Sequence, residues 1–131
     1  MLFRSLTPSP FFSLHAGIYK NRNDFQALVN SHQINSVVST RAGLTVHTFL
    51  DDMAQIVGPT ARVARFKIPV DETSIKSTLK ALKRRNAALL SNHGAICGAE
   101  TLDDACAVAQ VLEKNCKAAI DRKSTRLNSS H

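Results

Sequence analysis

Hydrophobic and polar positions along the chain change period several times, and each change marks an element. Residues 13–21 (SLHAGIYKN) set Leu14, Gly17, Ile18 and Tyr19 against polar neighbours, as a short half-buried helix does. Residues 27–30 (ALVN) form a brief apolar run suited to a buried strand, with His32 just past its end. Residues 34–40 continue as a helix through Val37 and Val38, closed by Gly43. Between residues 44 and 66, β-branched alternation in Leu44-Thr45-Val46-His47 and in Arg62-Val63-Ala64-Arg65-Phe66 predicts strands, separated by Gly58-Pro59.

The second half is more regular. Asp71 is placed to cap a helix, because its carboxylate can accept orphan amide hydrogens and Glu72 suits the positive helix start. Ile75, Leu79 and Leu82 form its buried stripe. Residues 87–90, the turn Asn92-His93-Gly94 and residues 95–97 read as strand, tight turn, strand. Thr101 with Asp104 is a capping-box pattern, and Leu102, Ala105, Cys106, Ala109, Leu112, Cys116 and Ala119 keep helical spacing to about Ile120. Alternating helices and short strands predict an α/β fold in αβα layers, with a mixed or antiparallel central sheet.

With 44% hydrophobic and 21% charged residues, the 131-residue chain has an ordinary single-domain composition. It has no apolar run of the roughly 20 residues that a membrane helix needs, so no membrane partner is expected. Both ends are set apart. Residues 121–131 (DRKSTRLNSSH) back-translate in one frame to a common short-read sequencing adapter. Residues 1–5 (MLFRS) fit the other strand of its inner end. The expected organisation is therefore adapter-like residues 1–5, a partial domain over residues 6–120, truncated at both ends, and an adapter-like, disordered tail over residues 121–131.

The ends hold Arg4, Arg122, Lys123 and Arg126 against Asp121, so setting them aside lowers the net charge from +7 to about +4. Much of the hint of nucleic-acid binding goes with them. Lys76, Lys80, Lys83, Arg84 and Arg85 form a basic stripe, read as a solvated helix face with no interleaved aromatics, so nucleic acid is not the expected partner. Cys97, Cys106 and Cys116 match no zinc or redox spacing. They read as reduced thiols in apolar positions, which favours the cytoplasm. Asp51 and Asp52 are adjacent and diverge if extended, so a loop-edge or capping role is expected. His47, on a strand before that acidic loop, reads as structural.

Three segments carry a family resemblance: residues 13–32 (SLHAGIYKNRNDFQALVNSH), residues 51–59 (DDMAQIVGP) and residues 86–113 (NAALLSNHGAICGAETLDDACAVAQVLE). Together they resemble the class II aldolase/adducin family, and the similarity covers residues 6–120. That family includes L-fuculose-phosphate aldolases, ribulose-phosphate epimerases and the adducin head domain. It generally binds zinc through a His-x-His pair and one later histidine. The resemblance places the pair at Asn30 and His32 and the later ligand at His93, so one imidazole has become an amide. The competing reading makes His93 a turn residue and His32 a loop residue.

A catalytic zinc takes three protein ligands and one open position, and an Asn oxygen is a weaker donor than imidazole, so the implied zinc is weakened. The family's general base is a Glu four residues before a helix histidine that resembles His15. That position is Phe11, which cannot accept a proton. Such a base is worth about 10²- to 10⁴-fold in rate. Ser9 matches one serine of the family's phosphate site, and the phosphate-binding glycine loop would precede residue 6.

The resemblance thus implies a zinc-dependent carbon–carbon lyase or epimerase acting on small sugars or sugar phosphates, impaired here, from a homo-oligomeric parent. The alternative is a metal-free, adducin-like binding module.

Overall fold

The computed structural model describes residues 10–42, 46–47 and 51–129. Its elements are α1 (Phe12–Asn21), β1 (Ala27–Ser31), α2 (Ile34–Arg41), β2 (Val46–His47), α3 (Asp51–Ile56), β3 (Thr60–Ala61), β4 (Val63–Ala64), α4 (Glu72–Leu82), β5 (Ala87–Leu90), β6 (Gly94–Ala99) and α5 (Leu102–Ser129). Four strands form one mixed sheet in the order β1-β6-β5-β4. The pairs β1–β6 and β6–β5 are antiparallel, and β4 lies parallel to β5. β2 and β3 form a separate antiparallel pair.

The period of two along the central strands builds the layers. Ala87 and Leu89 of β5, with Ala95 and Cys97 of β6, face a core made with Val46, Met53, Val57 and the α5 residues Val108, Leu112 and Cys116. Ala88, Leu90 and Ile96 face the other way, onto Leu14 and Ile18 of α1, Phe25, Phe66, and Ala81 and Leu82 of α4. Both faces of β5 and β6 are buried, which is why these strands read as continuous apolar runs. Helices cover both faces, so the αβα expectation holds.

Several local expectations need adjustment. β1 is only half-buried until Ser31, because it is a sheet edge rather than an interior strand. α2 buries Ser36 and Ser39 while Val38 is exposed. The reason lies on α5: the Glu113 carboxylate accepts from the backbone N–H groups of Asn35 and Ser36 and from Ser36 Oγ, each at 2.9 Å. Gln33 offers no side-chain cap. A carboxylate distant in sequence therefore caps this helix and turns its small polar face inward. The expected closing Gly43, and Leu44 and Thr45, lie outside the described residues. The acidic stretch from Asp51 is the helix α3 and not an extended loop.

Asp71 caps α4, accepting from Ser74 N at 2.8 Å. Thr101 Oγ1 likewise accepts from Asp104 N at 3.1 Å. Leu102 and Cys106 are exposed, and Val108, Val111 and Asn115 take the buried positions of α5 instead. The helix passes Ile120 and continues to Ser129, where a disordered tail was expected. The Lys117–Asp121 pair at 2.9 Å bridges this continuation. Arg85 is buried rather than solvated, donating to Thr60 O, Thr60 Oγ1 and Lys83 O. Among the described residues no helix is long and apolar enough to cross a membrane.

Cys97 and Cys116 are buried free thiols, and Cys106 is exposed. Burial pushes the Cys97 thiol up to about 12 and the Cys116 thiol up to about 11. The native state keeps these protons above the pH, near 9, at which an unfolded thiol releases them. Stability from this source is complete below about pH 9 and is lost as pH rises towards 11 to 12. A thiol reagent at pH 8 should modify Cys106 quickly and the other two only on unfolding. The urea midpoint should fall between pH 9 and 11, and the Cys97→Ala/Cys116→Ala double variant should lose most of that slope. Rapid modification of all three thiols in the native protein would contradict the burial.

Candidate active site

The turn between β5 and β6 and the end of β1 meet at one end of the sheet. The register pairs Asn30 with Ile96 and Ser31 with Ala95, so His32 and Gly94 follow side by side. Gly94 has φ +83, and a Cβ there would lie 2.0 Å from Ser31 O and 3.1 Å from His32 Cα. Only glycine permits this approach. Asn92 adopts the left-handed region at φ 64, which Asn tolerates, and tightens the turn. His32, exposed, and His93, half-buried, thus come from distant sequence to adjoining backbone positions.

His93 is held on two sides. Its Nδ1–H donates to Ser91 O at 2.8 Å, which leaves Nε2 with a free lone pair in the neutral ring. The Phe66 ring packs edge-on against it, with centroids 5.3 Å apart at 70°. Phe66 in turn stacks on Phe11 at 5.7 Å and 8°. The position that the resemblance assigns to a proton-accepting Glu is therefore part of an aromatic column ending on His93. Sequence spacing gave no sign of Phe66, because its role depends on a contact across the fold.

Asn30 is engaged differently from a free ligand. His15 Nε2–H donates to Asn30 Oδ1 at 2.5 Å, while Asn30 Nδ2 is buried with no partner. His15, on α1, is satisfied by Asn30. Turning the amide over would exchange its two atoms: Nδ2 would donate to an unprotonated His15 Nε2, and Oδ1 would be released. A cation that attracts Oδ1 would favour that rotamer and supply the missing partner.

The residues at the three positions that the resemblance marks are two imidazoles and one amide, a weaker donor set than three imidazoles. Among the described residues, no three His, Cys, Asp or Glu side chains cluster as a metal site. Ser9 lies outside the described residues. His47 is exposed on β2, with its backbone oxygen accepting from Asn115 Nδ2 at 2.6 Å.

The chain matches the model of the Class II Aldolase and Adducin N-terminal domain over residues 3–120. It belongs to the class II aldolase/adducin family. It is 30% identical over 108 residues to a 5-deoxy-D-ribulose 1-phosphate aldolase of Bacillus thuringiensis serovar kurstaki, covering 81% of this chain and 49% of that one. An L-fuculose phosphate aldolase of Methanocaldococcus jannaschii is 26% identical over 118 residues, covering 86% and 61%. The fold superposes on a solved L-fuculose 1-phosphate aldolase with a TM-score of 0.83 at 25% identity, covering 90% of this chain and 55% of the other. This class II aldolase-family chain thus spans about half to three fifths of the length of the relatives it matches.

The approach at Gly94 makes a direct test of the crevice. Gly94→Ala places a methyl group into the Ser31 carbonyl and imposes a left-handed backbone on alanine. It should destabilise the protein by at least about 2 kcal/mol in denaturant titration. Unchanged stability would mean that the two backbones are farther apart than described.

Proposed function

We propose that this chain carries the metal-site region of a domain descended from zinc-dependent aldolases of small sugar phosphates, with carbon–carbon bond cleavage impaired. The Asn30–His15 hydrogen bond carries the reading, because it occupies the amide oxygen at the first ligand position of the family pattern. His32 and His93 would hold the zinc, with Asn30 Oδ1 as a weak third donor after its amide turns. A zinc bound there would polarise a substrate carbonyl and stabilise an enediolate.

The chain's own residues set the limits. Ser91 O fixes the His93 tautomer that presents Nε2. The Phe66 ring keeps that imidazole from tilting away. Phe11, stacked on Phe66, can take no proton, which removes a contribution of about 10²- to 10⁴-fold. The names of the relatives point to sugar phosphates such as L-fuculose 1-phosphate or 5-deoxy-D-ribulose 1-phosphate. A cytoplasmic, homo-oligomeric parent is part of the same proposal.

A second reading has one observation in its favour. Phe11 stacked on Phe66 is an apolar surface where the family pattern has a base, as suits a metal-free, adducin-like binding module. Zinc affinity, measured by competition with a chromophoric chelator, separates the two. The lyase lineage predicts weak binding that His93→Ala abolishes and Asn30→His tightens at least tenfold. Indifference to both substitutions would leave the binding module. Cleavage of either sugar phosphate should be at least about 10²-fold slower than by the relatives. A rate equal to theirs would overturn the impairment.

A further inference from the structure

We propose that the outer edge of the sheet, between β4 and the C-terminal half of α4, binds a small, multiply phosphorylated anion. Two concave grooves adjoin there. One, of about 460 Å³, is lined by Arg62, Val63, Arg65, Ser77, Lys80 and Ala81. The other, of about 340 Å³, is lined by Arg62, Lys80, Lys83, Arg84 and Arg85. They share Arg62 and Lys80, and no carboxylate lines either. None of these residues belongs to the His32–His93 crevice.

The charge in the grooves is uncompensated. Among the described residues, Lys67, Lys76, Lys114 and Lys117 each pair with a carboxylate, and Arg62, Arg65, Lys80, Lys83 and Arg84 do not. The frame beneath them is fixed. Arg62 Nη1 donates to Lys80 O at 3.4 Å, and Arg65 N donates to Ser77 Oγ at 2.8 Å, which ties β4 to α4. Arg85, buried below, has its guanidinium pushed down chiefly by burial and further by the nearby Arg62 charge. Arg84 holds a left-handed backbone at φ 61, an uncommon conformation for a non-glycine residue, at the groove wall.

Scattered cations suffice to guard an exposed strand edge against pairing. Two grooves meeting on one shared pair of cations do not follow from that need. The volumes suit a small ligand rather than a long polymer track. The absence of aromatic side chains from either lining removes the stacking surface that single-stranded nucleic acid uses. Phosphate groups recognised by charge and by the Arg forks remain the best match.

The probe is inorganic tripolyphosphate, titrated calorimetrically into the full chain at low and at physiological salt. The expected result is saturable binding at one site, weakened by salt. Arg62→Glu and Lys80→Glu should each lower affinity at least tenfold. Lys76→Glu, on the same helix but outside both grooves, should change it less than threefold. Thermal unfolding checks that each variant folds, and the milder Lys80→Gln, at an exposed and unpaired site, replaces any that does not, with a loss of at least threefold expected. Absence of saturable binding, or equal weakening by Lys76→Glu and Lys80→Glu, would overturn the proposal. So would a duplex DNA that binds more tightly than tripolyphosphate through the same two residues.

Discussion

The structure of the site depends on one close approach, the backbone of Gly94 against Ser31 and His32. A side chain at position 94 would force the β5–β6 turn away from the end of β1, and the two histidines would separate with it. The register of β1 on β6 fixes which residues meet, and the alternation of β5 and β6 fixes which faces are apolar. Gly94 lies where both requirements coincide. The meeting of His32 and Gly94 is therefore a product of strand pairing, and nearby side chains could change without moving it.

That independence lets the family fold be kept whatever side chains stand at this junction. His15 and Asn30 satisfy one another, apart from one amide hydrogen pair left without a partner. A buried unpaired donor costs about 1 to 3 kcal/mol, which a cation would recover by turning the amide. Phe11 stacks on Phe66, an apolar contact beside His93.

Much of the fold was legible because its signals are local. Asp71, the Thr101–Asp104 pair, the apolar runs of β5 and β6 and the Asn-His-Gly turn each act within a few residues of chain. The failures share a physical cause. Glu113 caps α2 from another helix, so nothing near Ile34 announces that Ser36 and Ser39 turn inward. Arg85 looks like one more cation in a basic run, and only Thr60, far earlier in the chain, makes its burial tolerable. α3 was missed because adjacent acids read as an extended edge. Phe66 could not be found from spacing, since its neighbours Phe11 and His93 come from both sides in sequence.

The Glu113 bond also bears on how the site is held. His32 stands two residues before α2, and the start of α2 is pinned by a carboxylate of α5. His93 is pinned by its own turn through Ser91. His32 thus lies between a strand paired with β6 and a helix start held by α5, His93 lies in the hairpin, and α5 and the hairpin pack on the same core through Ala95, Cys97, Leu112 and Cys116. Sliding of α5 on the sheet would strain the start of α2, while His32 stays next to Ser31, whose strand is paired with β6. The tight packing of the buried thiols and of Leu112 opposes that motion, because a well-packed interior has few voids into which a helix can shift. α5 thus steadies the start of α2 beyond His32, while the pairing of β1 with β6 sets where His32 and Gly94 meet.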